Sequence, residues 1–262
     1  MATSGIDRYS TFGLKDKWVA NFFDNDVDFF QGGGQLGTKM VPACTNWFRE
    51  AEILTEKDKQ ITEIGRILQK AYIHTPNKVW EILWINLSSN SLAVKFYTSF
   101  VDFDRPYTKA ELLEYMIDAF KGINSNTLKN PLGALCNMFG ITEETVLGDQ
   151  LKQGKITAKG KTVETITRNA HTEISLCAVA YSLFRYAERQ KRYSLTISEF
   201  YDENQREGIY RQFGINKDTF ERLLLSLQEE SNHVLRAELN MGLDNIILRD
   251  DLKSIDILKT ML

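Results

Sequence analysis

Residues 31–68, QGGGQLGTKMVPACTNWFREAEILTEKDKQITEIGRIL, decide how the fold is read. Glycines at 32, 33, 34 and 37 make a turn before a helix that starts near Thr38, an N-cap residue type. Met40, Val41, Cys44, Trp47 and Phe48 recur at the spacing of one apolar helix face. Pro42 falls later than the first helical position that proline prefers, so the start is fixed only to within a turn. Residues 52–61 read as a polar strand–turn–strand with Glu56-Lys57-Asp58-Lys59 at its tip, followed by a short helix over residues 62–68. A helix beside a small charged wing predicts a winged helix-turn-helix over residues 1–75 and points to DNA. Winged helices also dock proteins, so that reading stays open beside it.

A chain of 262 residues is long enough for two or three subdomains. No run is long enough for a membrane span, and residues 1–10 lack the apolar stretch of a signal peptide. Cys44, Cys136 and Cys177 are far apart in apolar surroundings, which suits core residues in a reducing compartment and a cytoplasmic location. The cysteines and the histidines at 74, 171 and 233 are too dispersed for a structural zinc site. A net charge of −3 means that any nucleic-acid surface must concentrate its cations. Lys152, Lys155, Lys159, Lys161 and Arg168 form one such group, and Arg185, Arg189, Lys191 and Arg192 another. Each group also suits a solvated face.

Helix dominates the rest. Trp18, Val19, Phe22 and Phe23 give an amphipathic helix, and residues 79–87 are apolar nearly all round, which places them at the centre. Pro76 reads as a break before them. Residues 92–101 form a further helix, and Thr108 with Glu111 opens a capping box. A helix is expected over 132–139, flanked by Asn126 and Pro131, and Glu143-Glu144 caps another start. Residues 146–167 read as a hairpin or loop, 172–189, 198–204 and 216–230 as helices, and 233–248 as a winged-helix-like hairpin before a last short helix. No repeat is evident. The reading is a mainly α protein: an N-terminal winged helix-turn-helix (1–75), a central helical bundle (76–145) and a C-terminal helical, winged-helix-like region (146–262).

Four blocks carry a family likeness. They are Phe12 to Trp47 with LGTKMV, then ITEIGRIL, then VWEILWINLSSNSLAVKFYTSF with YTKAELLEYM, and the tail from Tyr210-Arg211-Gln212-Phe213-Gly214-Ile215 through Leu243-Asp244-Asn245-Ile246-Ile247-Leu248. In them the chain resembles the SspB-like family, a former domain-of-unknown-function family encoded in bacterial DNA phosphorothioation clusters. The resemblance implies a DNA-binding component of an anti-phage system, with strand nicking ahead of sulfur incorporation. It also implies sulfur-transfer and ATPase proteins as partners. The alternative is a non-enzymatic winged-helix adaptor or a transcriptional regulator.

For duplex DNA the candidate contacts are Thr38, Lys39, Thr45, Arg49, Lys57 and Lys59 around the first helix and its wing, with Lys159 and Lys161. Nicking calls for carboxylates holding Mg²⁺ or Mn²⁺. Asp102 and Asp104 of VDFDRP would project to one side of an extended segment beside Arg105, and they are the candidate catalytic and metal-binding pair. Their spacing equally suits a turn between helices. Trp47, Trp80 and Trp84 read as core.

Overall fold

The structure, a computed structural model, describes residues 5–31, 36–140, 145–157, 160–230, 233–240 and 242–262, without the side chains of 155–157 and 160–163. The expected glycine turn at 32–34 and the Glu143-Glu144 helix start lie outside the described residues. Apolar faces fold the N-terminal part into α1 (Asp16–Asn25), α2 (Met40–Glu50) and α3 (Glu63–Tyr72). Pro42 sits in the first turn of α2, where its missing N–H would have no intrahelical acceptor. Thr62 caps α3 by accepting from Gly65 N at 2.8 Å. The expected strand–turn–strand is a turn instead. It is closed by one bridge, Leu54 to Ile61, and by Thr55 N donating to Gln60 O at 2.8 Å.

The break expected at Pro76 is seen, since α3 ends at Tyr72, and the proline also begins the next helix. It stands at the first position of α4 (Pro76–Asn90), where proline's fixed φ suits the helix. Residues 79–88 of α4 are all buried, and α4 touches α2, α3, α8 and α10 as well as α5 (Leu92–Phe100). It is the axis on which the rest is hung.

Two segments then repeat one order of elements. The first runs from α5 through β1 (Pro106–Thr108), α6 (Lys109–Ala119) and α7 (Ser125–Met138) to the hairpin β2 (Gln150–Thr157) and β3 (Gly160–Arg168). The second runs from α8 (Leu176–Gln190) through β4 (Ser194–Thr196), α9 (Ile197–Phe200), α10 (Ile209–Phe213) and α11 (Lys217–Glu230) to β5 (Leu235–Glu238) and β6 (Asn245–Leu248). Each makes an antiparallel three-stranded sheet with the last strand in the middle, β1-β3-β2 and β4-β6-β5. The first sheet pairs residues 106–108 with 165–167, so it crosses the expected boundary at 145/146. The last helix, α12 (Ser254–Met261), packs on α8 and α3.

A sequence repeat underlies this order, contrary to the expectation of none. GINSNTL (122–128) precedes and opens α7, and GINKDTF (214–220) does the same for α11. Gly122 and Gly214 have φ of +93° and +71°, a turn conformation that a side chain would strain. Asn124 caps α7 through Asn126 N, and Asn216 accepts from Thr219 N, both at 2.8 Å. Upstream, Glu111 and Glu199 fold back on Thr108 N and Thr196 N, and each is paired with an arginine, Arg105 and Arg192. The α7 helix therefore starts before Pro131, which it contains, instead of after it.

Candidate nucleic-acid interface

The candidate contacts around α2 do not form one patch. Thr38 and Lys39 are exposed just before α2. Arg49 lies at its other end, donating from Nε to Thr55 O at 3.3 Å in the turn that carries the exposed Lys57 and Lys59. Ten residues of helix separate Lys39 from Arg49 by about 15 Å. Thr45 faces the core at 4% exposure and bonds back to Val41 O at 2.8 Å. Most of α2 is buried, and Pro42, Asn46 and Arg49 form the stripe that stays at least partly open.

In the first repeat the helix that follows the Gly-Ile-Asn turn, α7, is covered by the chain's own N-terminal segment. Asn137 Nδ2 donates to Thr11 O at 2.8 Å, and Asn130 Nδ2 to Asp7 at 3.2 Å. A Cβ on Gly13 would fall 2.5 Å from Met138 N, which shows how closely the segment lies on α7. In the second repeat α11 has an open face, but it carries four acids against Lys217 and Arg222. The hairpin of the first repeat has the opposite character, with Lys152, Lys155 and Lys161 on its strands. Lys159 lies outside the described residues, and the side chain of Lys161 is not described.

Asp102 and Asp104 occupy the corner between α5 and β1. Both are exposed. Asp102 N donates to Tyr107 Oη at 3.3 Å, and one carboxylate oxygen is 3.8 Å from Arg211 Nη1. Asp104 adopts φ of +58°, and its N–H donates to Arg168 O at 2.8 Å. Asp102 also lines an open groove of about 330 Å³ with Phe100, Tyr115, Asp118 and Arg206. Among the described residues no three His, Cys, Asp or Glu side chains come together to hold a metal ion.

The link between the two repeats is pinned to α4 by a charged histidine. His171 is held on both sides, Nδ1 2.6 Å from Asp149 and Nε2 3.2 Å from the buried Glu81. Glu81 also accepts from Ser175 N and Ser175 Oγ at the start of α8. Burial of the ring opposes its charge, but the hydrogen bonds and charges of the two carboxylates outweigh it and push its pKa up to about 9. A raised folded pKa stabilises fully below the unfolded value near 6.5, and the gain is lost as pH rises to about 9. His171→Gln is therefore expected to lower stability by about 2–3 kcal/mol at pH 6 and by much less at pH 9. Urea midpoints of both proteins across this range check it. An equal deficit at both ends would show that the charge contributes nothing.

Residues 7–261 match a family described as "Protein of unknown function (DUF4007)". The chain belongs to that family. No curated protein matches it. Among solved structures this DUF4007 chain is similar to magnesium ion-bound SspB, with TM-score 0.71 and 16% identity over 98% of this chain and 87% of the other. It is also similar to a second SspB crystal structure, with TM-score 0.68 and 16% identity over 98% and 86%. The fold is thus SspB-like, as the four sequence blocks implied. No helix among the described residues is long and apolar enough to cross a membrane. Sequence reading missed the arginines brought together where the two repeats meet, Arg189, Arg206 and Arg211. Only Arg189 lay in a visible basic cluster; nothing in the spacing of the other two announced them.

Proposed function

We propose that the chain is a DNA-binding component of a DNA phosphorothioation or related anti-phage system. In this reading the two repeated segments, residues 92–168 and 176–248, are winged helices. The observation that carries it is a shared order, found twice with the last strand central: a helix, a strand, a helical stretch (one helix in the first segment, two short ones in the second), a further helix and a hairpin. The lysine-bearing hairpin of the first repeat is the wing that meets phosphate, with Lys159 and Lys161 as its sequence candidates and Lys39, Arg49, Lys57 and Lys59 as outlying contacts.

The second repeat favours an adaptor role beside this. A helix face with an excess of acids repels phosphate and suits a basic protein surface, so sulfur-transfer or ATPase partners would dock on α11. Strand nicking is the finer reading. Asp102 and Asp104 are its candidate carboxylates, and Mg²⁺ is often held by one or two carboxylates completed by substrate phosphates. The pair does not make a preformed cage, since Arg211 already engages Asp102.

The test uses a short duplex and supercoiled plasmid, with and without Mg²⁺ or Mn²⁺. Salt-sensitive duplex binding is the expected result, and its absence would end the DNA reading. Metal-dependent open-circular product, lost in Asp102→Asn/Asp104→Asn with the fold intact, would establish nicking at this corner. Product retained in that variant would move the site elsewhere.

A further inference from the structure

Where the end of α4, α5, α8 and the loop before α10 meet, a narrow hollow of about 10 Å³ is lined by three arginines, Arg189, Arg206 and Arg211, and by Ser88 and Ser89. That volume is close to the minimum that admits one oxygen-sized group. Glu207 is the one carboxylate in the lining, and it is already shared, with Lys95 Nζ at 2.6 Å and Arg189 Nε at 3.5 Å. Arg189 Nη1 also donates to Ser89 Oγ at 3.0 Å. Arg211 is almost fully buried, held by its Nε bond to Gln205 O at 2.9 Å and by Asp102 at 3.8 Å.

Arg206 differs from its neighbours. Its guanidinium lies over the Phe100 ring, 5.5 Å from the centroid, and no carboxylate among the described residues is within ion-pair distance. Its backbone is fixed: its carbonyl accepts from Ser99 Oγ at 2.8 Å and its N–H donates to Gln205 Oε1 at 2.9 Å. The side chain is exposed. A planar cation pinned against an aromatic face, with its N–H edge free, is arranged to receive a phosphate oxygen.

We propose that this seam between the two repeats binds the phosphodiester backbone of DNA, with Arg206 as the outer contact and Arg189 as the second. The local charge sets the sign of the ligand: of the three arginines and Lys95, Arg206 has no ion-pair partner among the described residues, and the other three pair there only with Glu207 and Asp102. The geometry also sets a path. Arg206 lines both the hollow and the 330 Å³ groove, so a strand held at the seam runs past Asp102 and Asp118. The inference rests on the DNA-binding reading and locates part of it away from the lysine hairpin.

Anisotropy of a short labelled duplex, followed over about 50 to 200 mM salt, reads out the number of phosphate contacts, each contributing roughly 0.9 to the log–log slope. Arg206→Ala is expected to reduce the slope by about 1, and Arg206→Ala/Arg189→Ala by about 2. Arg206→Lys keeps the charge and should keep the slope. Thermal melting of each variant separates lost contact from lost fold. A wild type that binds, with an unchanged slope in a folded double variant, would overturn the inference alone. A wild type that fails to bind duplex would overturn the DNA reading and this inference together.

Discussion

Replacing Arg168 with alanine lowers stability by about 3–5 kcal/mol, the range for removing a buried charged group and stranding its partners. The side chain has no exposure to solvent. It leaves β3 and turns its guanidinium onto the end of α5, donating from Nη1 to Thr98 O at 3.0 Å and Val101 O at 2.7 Å. These are the orphan carbonyls of a helix C-terminus, where a cation is favoured. Nη2 donates to Arg211 O in the second repeat, and the Phe103 ring lies 4.0 Å from the guanidinium carbon. Burial holds the pKa down at about 10, so the group stays charged at neutral pH. One side chain thus ties the end of the first sheet, the end of α5 and α10 of the second repeat. Urea denaturation of Arg168→Ala and Arg168→Lys checks it. Lysine should recover part of the loss, because it keeps the charge and some of the donors but not the planar fork. A loss below about 1 kcal/mol in the alanine variant would mean that the carbonyls find other partners.

Trp84→Ala should have an effect of similar size, about 3–5 kcal/mol, as truncation of a buried aromatic does. Trp84 is 1% exposed on α4, and its Nε1 donates to Gln212 O at 2.8 Å. Its ring meets Tyr97 and Phe139 edge-on, with centroids 6.4 Å away in both cases. Loss of the indole opens a cavity and also frees the carbonyl that joins α10 to the axis. Melting and duplex binding measured together check this. A variant that melts like the wild type but no longer binds DNA would make Trp84 a contact residue instead.

The helices were legible because burial writes a period into the chain. Residues 79–87 could only be a central helix, and Thr108 with Glu111 fixed a helix start that the structure shows. The Leu54–Ile61 turn misread as a wing because apolar residues flank a charged tip, and a hairpin and a closed turn share that pattern. The repeat escaped notice because the copies differ between their two conserved motifs. Where the first has one helix, α6, the second has two short ones, α9 and α10, so no fixed period exists. The corner at Asp102 and Asp104 was visible as paired acids, but their surroundings were not. Asp118 lines the same groove from α6, and Arg211 approaches Asp102 only after the two repeats pack together. Arg206 was hidden for the same reason.

The segment that lies over α7 has a bearing on how the chain is made. Ile6, Tyr9 and Leu14 are buried, and Tyr9 stacks on Trp47 with ring centroids 3.8 Å apart. Yet the same segment is also held by Asn130 and Asn137, the latter 126 residues further along. A ribosome makes a chain from its amino end, so residues 7–13 emerge long before the α7 residues that hold them. Contacts of such separation slow folding because a long loop must close before they form. Residues 7–13 are therefore among the last parts to settle although they are made before α7, and a nascent chain stopped before α7 would lack the contacts to Asn130 and Asn137 that hold them.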